Sequence, residues 1–303
     1  MRTNLEKRIL HGILILSINT LAILTGCSNS PQDAAKGGKG KDSTVTAAND
    51  HGPHDKTIAT GDSKFAWKPP VYDSTKKYIY LTFDDGPQPP GTHQCFNICK
   101  ELGIKATFFM VGQHASSPHL QALVDSIREG YPEILLANHS NTHASNHYQY
   151  FYQHPQMSHE DFLVAQKKLN VPYKIIRLPG NSAWVREGEV RASKLVKPVC
   201  MLLDSSGYNV IGWDVEWNFN HKTATPVQSA DAMINMVNVA LQRNETHTKN
   251  HVVILTHDRM FRHPSDADSL RKFITELKAN PNYVFETIDN YPRLKTPSLE
   301  AKQ

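Results

Sequence analysis

Cysteine is scarce in this chain: 4 of 303 residues, at positions 27, 95, 99 and 200. That is too few, too unevenly spaced, for a small domain framed by disulfides, so a buried apolar core must supply the stability. Neither sign of charge dominates, with 33 basic residues against 29 acidic ones mixed along the chain. Without a basic stripe or tail, nucleic acid is not indicated as a partner. No internal repeat is found, and long apolar runs are missing except for one near the start. What remains is 39% hydrophobic and 20% charged, the balance of a folded soluble body rather than a disordered or multi-span membrane chain. Histidine is the surplus residue, 16 in all, scattered except for one dense run.

The single apolar run, 9–24, follows Arg2, Lys7 and Arg8 and ends at Leu24-Thr25-Gly26-Cys27. A basic start, an apolar middle and a small-residue end read as a secretion signal over 1–26. Its roughly 16 residues, broken by His11 and Asn19, fall short of the roughly 20 that cross a bilayer as a helix. A permanent transmembrane anchor is therefore the lesser reading. Residues 24–27 resemble the lipobox of bacterial lipoproteins. That resemblance implies a lipidated Cys27 as the mature N-terminus, holding the protein to a membrane in the cell envelope, facing the periplasm. Residues 27–77, rich in Gly, Ser, Asp and Lys in their first part, read as a flexible tether. The expected layout is then signal 1–26, tether 27–77, folded body 78–295 and tail 296–303.

After the tether, β-rich runs lie at 78–83, 106–111, 133–137, 174–177, 209–213, 252–256 and 283–286. Helical spacing of apolar residues fills 93–102, 118–129, 158–169, 187–205, 226–243 and 266–279. Seven strands alternating with helices predict a parallel sheet with helical crossovers. The expected class is α/β, a distorted (β/α)7 barrel of TIM-barrel type, ahead of an open doubly wound sheet. Asp84, Asp85, His139, His143, Arg177, Asp214 and His257 all fall at or just past strand ends. In a parallel barrel those ends share one face, the face on which active sites are built.

His139 and His143 are four residues apart, a spacing that on a helical turn points both imidazoles to one side and suits a metal. With 16 histidines such a pair also arises by chance, and His143 with His147 supplies another. A carboxylate from a second strand end would complete a two-His, one-carboxylate set with open positions on a divalent ion. In Asp84-Asp85-Gly86-Pro87 one carboxylate can ligate while the other titrates. The same four residues also suit a plain turn. His257 is equally at home as a satisfied histidine at a barrel rim.

Taken in order, Thr82-Phe83-Asp84-Asp85-Gly86-Pro87, His139-Ser140-Asn141-Thr142-His143, Arg177-Leu178-Pro179-Gly180, Asp214-Val215-Glu216-Trp217 and Leu255-Thr256-His257 resemble five motifs. They are those of the polysaccharide deacetylases, carbohydrate esterase family 4, the NodB-homology domain. The resemblance spans 78 to about 291. It implies a divalent metal, zinc foremost with cobalt or nickel as substitutes, held by Asp85, His139 and His143. It implies Asp84 as the base for a water on that metal, Arg177 as the group holding Asp84, and His257 as the acid for the departing amine. The implied substrate is an acetylated polysaccharide or oligosaccharide containing N-acetylglucosamine: peptidoglycan, a chitin-type chain or poly-N-acetylglucosamine. Two other readings stay open, an O-acetyl esterase on xylan or another acetylated glycan and a non-catalytic glycan-binding lipoprotein.

Two motifs depart from the family pattern. The third usually carries a Tyr after its Pro, where this chain has Gly180; Pro179 and Gly180 are nevertheless expected at the substrate, through a backbone donor. The fourth is one residue short. Asp214 is expected to orient His257, with Glu216 as the alternative, and Trp217 to stand with Leu255 as an apolar wall. Core packing is the plainer reading of Trp213 and Trp217. Cys95, Cys99 and Cys200 either pack in the core or share a disulfide. The His-rich aromatic loop with Tyr148, Tyr150, Phe151 and Tyr152 either lines a sugar groove or caps the barrel.

Overall fold

The computed structural model describes residues 63–297. The expected signal segment, Cys27, the tether as far as 62 and the tail from 298 lie outside the described residues. Alternation along the first long strand sets the layers. In β1 (Lys77–Gly86), Ile79, Leu81 and Phe83 join an outer core beneath the helices, while Tyr78 and Tyr80 join a core inside the curl of the sheet. Residues 78–86 are all buried, as befits a parallel strand covered on both faces.

The chain continues through α1 (Gly91–Glu101), β2 (Ala106–Met110), α2 (Pro118–Glu129), β3 (Ile134–Asn138), α3 (Tyr148–Gln153), α4 (Pro155–Lys168) and β4 (Ile175–Ile176). A hairpin, β5 (Trp184–Arg186) and β6 (Glu189–Arg191), precedes α5 (Lys197–Ser205), β7 (Asn209–Val210) and β8 (Val215–Glu216). Then come α6 (Ala230–Arg243), β9 (His251–His257), α7 (Pro264–Lys278) and β10 (Tyr283–Phe285). The sheet order is β6-β5-β7-β4-β3-β2-β1-β9-β8, with β10 added beside the start of β1. All seven expected strands are present, as β1, β2, β3, β4, β7, β9 and β10, and they pair in parallel.

One broken strand spans the two edges of the curl. β7 pairs with β4 near one end of the order and β8 with β9 at the other. Between them the Ile211 amide donates to the Ile176 carbonyl and the Asp214 amide to that of Val253. The result is a curled α/β half-barrel, distorted where residues 211–214 carry the chain from one edge to the other.

Three strands were not anticipated. The antiparallel β5–β6 hairpin takes the start of the segment predicted as a helix over 187–205. Gly188, at a φ of 68°, makes the tight turn, and Arg186 bonds Glu189 across it. The helix starts only at Lys197, with Pro198 in the first turn where its missing N–H is harmless. The third is β8, two residues long.

The tether reaches the body before residue 78. Trp67 donates to the Asp289 carbonyl at 2.8 Å, Tyr72 to that of Asn290 at 2.5 Å, and Tyr173 to that of Phe65 at 3.1 Å. These three aromatics set 65–77 apart from the Gly- and Ser-rich stretch before it. Cys95, Cys99 and Cys200 are buried and free, so the packing reading applies to all three. Among the described residues no helix is long and apolar enough to cross a membrane.

Candidate metal and catalytic site

Strand periodicity alone would send Asp84 into the barrel and Asp85 away from it. The register of β1 against β2 slips between Asp84 and Gly86, a bulge that re-aims the chain, and Asp85 takes a φ of 74°. Both carboxylates thereby reach one site. The next residue has to be glycine: a Cβ on Gly86 would stand 2.5 Å from Asp258 Oδ2 and from the Met110 sulfur.

His139 and His143 meet as expected, ring centroids 5.1 Å apart, but not on a helical turn. They sit in a loop in which Ser140 and His143 have φ of 70° and 51°. Side chains hold that loop in place of helix bonds. Asn138 accepts from the Ser140 amide, Ser140 Oγ from the His143 amide, and Asp161 from the amides of Asn141 and Thr142. His139 Nδ1 lies 2.9 Å from the Arg177 carbonyl, which fixes its proton there and leaves Nε2 free to ligate.

One ligand atom each from Asp85, His139 and His143 lies within 4.8 Å of the others. The two Nε2 atoms stand 3.4 and 3.0 Å from Asp85 Oδ1, yet that buried oxygen has no aligned hydrogen bond. Lone pairs converging on an unsatisfied buried oxygen fit a divalent cation. Burial pushes the Asp85 carboxyl up, but His139, His143 and the nearby His257 outweigh it and hold the group well below the usual range. For His139, burial pulls down and the Asp84 and Asp85 charges pull up, with a net rise.

Arg177 is fully buried and donates to Asp84 Oδ1 at 2.9 Å, to the Gly212 carbonyl at 2.9 Å and to Thr82 Oγ1, with its guanidinium 4.3 Å over the Phe109 ring. Asp84 Oδ2 is left facing His139 Nε2 at 3.6 Å. Across the site, His257 Nε2 stands 3.9 Å from Asp85 Oδ2. Burial lowers the His257 pKa, partly offset by Asp85 and Asp84. These groups, with Leu255 and Gly180, line a cavity of about 540 Å³, within the usual range for small-ligand sites.

Three expected residues are placed elsewhere. Asp214 does not reach His257; its oxygens accept the His247 and Val253 amides at 2.6 and 2.8 Å. Burial pushes that carboxyl up to about 6 despite those amides. Glu216 is the fourth-motif acid in the cavity, and its charge acts on His257. Trp217 is fully buried in the outer core against Phe261 and Phe273, so Trp213 and Phe219 form the apolar wall instead. Pro179 stands behind Gly180, its carbonyl bonded by Tyr152.

His114 and Arg259 also line the cavity, and neither is singled out by the sequence. His114 Nδ1 lies 2.6 Å from the Asp85 carbonyl. It follows β2 by four residues, so the strand-end rule that found the others applies to it too. Of the aromatic loop, only Tyr148 faces the cavity; Phe151 and Tyr152 are core.

Asp258, beneath the site, is a further acid. Burial pushes its carboxyl up to about 8, the Thr92 hydroxyl opposing and the charges of Asp85 and Asp84 assisting. The folded pKa is raised, so the stabilisation is complete below the unfolded value near 3.9 and is lost as pH rises through about 8. Asp258→Asn copies the neutral form. Its melting temperature relative to the parent should rise by at least about 3 °C between pH 4 and pH 9. A flat difference across that range would mean Asp258 does not keep its proton.

A family model described as polysaccharide deacetylase matches residues 72–183. The chain is 27% identical over 311 aligned residues to the chitin disaccharide deacetylase of Vibrio alginolyticus, covering 72% of each protein. It is 25% identical over 233 residues to the peptidoglycan-N-acetylglucosamine deacetylase of Bacillus cereus, covering 76% of this chain and 93% of that one. The crystal structure of the catalytic domain of a peptidoglycan N-acetylglucosamine deacetylase from Eubacterium rectale has the same fold. Its TM-score is 0.53 at 23% identity, over 78% of this chain and 99% of that one. The matched stretch holds Asp84, Asp85, His139, His143 and Arg177, the residues that the bulge, the loop and β4 bring together. The stretch that carries these residues is thus similar to the polysaccharide deacetylases, and the curated relatives that resemble most of the chain are named as deacetylases, that is, as carbohydrate-acting hydrolases.

Proposed function

We propose that this domain hydrolyses the N-acetyl groups of a polysaccharide containing N-acetylglucosamine, with a divalent metal held by Asp85, His139 and His143. The observation that carries this is the meeting of those three groups with the Asp84–Arg177 pair and His257 in one cavity. Zinc is the metal we favour; bound there, such a cation supplies the acidified water and the polarised carbonyl that an amide needs. Arg177 fixes one oxygen of Asp84, keeping the other aimed at the cavity to take a proton from the attacking water. His257, on the other side of Asp85, delivers a proton to the departing amine, and Glu216 supports its charged form. Leu255, Trp213 and Gly180 enclose the acetyl group and the sugar.

The names of the relatives favour chitin-type or peptidoglycan chains. The leader and Cys27 favour an exported protein held by lipid in the cell envelope. The deciding measurement is acetate release from chitooligosaccharides, peptidoglycan, poly-N-acetylglucosamine and acetylated xylan, with and without chelator. Release from the N-acetylated chains that stops with chelator and returns with zinc or cobalt is the expected result. Release confined to xylan would establish the O-acetyl esterase, and glycan binding with no release under any metal would establish a binding protein.

A further inference from the structure

The Tyr148 ring lies 3.1 to 3.3 Å from the point where a Cβ on Gly180 would stand, and Gly180 has a φ of 63°. The tyrosine thus packs on a bare Cα at the cavity wall, an approach that a Cβ at 180 would crowd, pushing the ring back by a few tenths of an ångström. Its hydroxyl is 3.4 Å from His143 Nδ1 and 3.4 Å from Asn146 Oδ1, and the rings of His143 and Tyr148 meet edge to face at 5.7 Å.

Chemistry sets the direction of these contacts. His143 turns Nε2 to Asp85 Oδ1 at 3.0 Å. A neutral imidazole that offers Nε2 as a ligand carries its proton on Nδ1. Nδ1–H therefore donates to Tyr148 Oη, and Oη–H donates on to Asn146 Oδ1. His139 receives the equivalent support from the Arg177 carbonyl at 2.9 Å, a main-chain group. Of the two histidines, His143 is the one whose outer nitrogen rests on a side chain, and the longer contact makes it the more adjustable.

We propose that Tyr148 is a positioning residue for His143 and, through its ring on Gly180, a specificity-determining wall of the substrate cavity. This rests on the reading of Asp85, His139 and His143 as metal ligands. Outer partners of ligating histidines typically change metal affinity by about 10- to 100-fold when removed.

Tyr148→Phe keeps the ring and loses the hydroxyl; Tyr148→Ala loses both. Affinity for zinc and for cobalt is read on folded full-length protein by competition with a chelator, without substrate. Both variants should bind about 10-fold more weakly. At saturating metal, Tyr148→Phe should keep the parental KM for an N-acetylated oligosaccharide, and Tyr148→Ala should raise it about 10-fold. Parental metal affinity in Tyr148→Phe overturns the positioning role, and an unchanged KM in Tyr148→Ala overturns the wall. Parental protein that takes up neither metal would overturn the ligand reading, a failure visible before either variant is made.

Discussion

Asp84→Asn should lower acetate release by about 1,000-fold while leaving one metal per chain in place. The amide keeps the shape of the carboxyl and still accepts from Arg177, which donates to Asp84 Oδ1 at 2.9 Å, but it takes no proton from water. Asp84 is also the counter-charge of a guanidinium that has no exposure to solvent. Removing one partner of a buried pair costs about 3–5 kcal/mol as a rule. Here the carbonyls of Gly212 and Ile211, the Thr82 hydroxyl and the Phe109 face remain around Arg177, so the lower end of that range is expected. Acetate release per folded molecule, with the folded fraction from thermal melts and the metal from elemental analysis, keeps the two effects apart. Activity within about 10-fold of the parent would remove Asp84 from the base role.

The parts of this site that could be read from sequence follow from strand periodicity and strand ends. Asp84 lies two and four residues beyond Thr82 and Tyr80 on the inner face of β1, so its direction follows once the strand is recognised. His257 and Arg177 close strands in the same way. Asp85 was found without its mechanism: the bulge that turns it inward is a property of the β1–β2 register, which no single strand displays. The histidine pair was found through helical spacing and is held by a loop, because Asn138, Ser140 and Asp161 supply the bonds a helix would have made.

The fourth motif shows what a two-residue strand hides. Once β8 is known, alternation sends Val215 and Trp217 to the outer core and Glu216 to the cavity. That strand exists because Asp214 to Trp217 docks along β9, with the Asp214 and Trp217 amides donating to the Val253 and Leu255 carbonyls. Nothing local in the sequence announces it, so the larger acid–Trp pattern was read without its register. For a related reason the sequence leaves open whether Tyr148 lines a groove or caps the barrel: its place on Gly180 depends on the path of a loop, not on any spacing between the two residues.

His139→Ala should show the opposite split from Asp84→Asn. Metal content is expected to fall from about one to below about one-tenth per chain at equal free metal, with activity lost because the site is not loaded. Of the two histidines, His139 is the more deeply buried, and its Nδ1 is committed to the Arg177 carbonyl. Its loss leaves Asp85 Oδ1 facing His143 alone, with Asp84 Oδ2 freed of its neighbour. Protons and metal compete for the same Nε2, and the carboxylates hold the His139 pKa above its ordinary value. Parental metal affinity should therefore weaken as pH falls through the histidine range, while Asp85, held far below the usual carboxylate range, stays ionised there. In His139→Ala most of that pH dependence should vanish along with the affinity. Metal retained at one per chain in His139→Ala, read by elemental analysis after dialysis, would mean that the cation sits elsewhere and that the cluster of Asp85, His139 and His143 is only a hydrogen-bonded core.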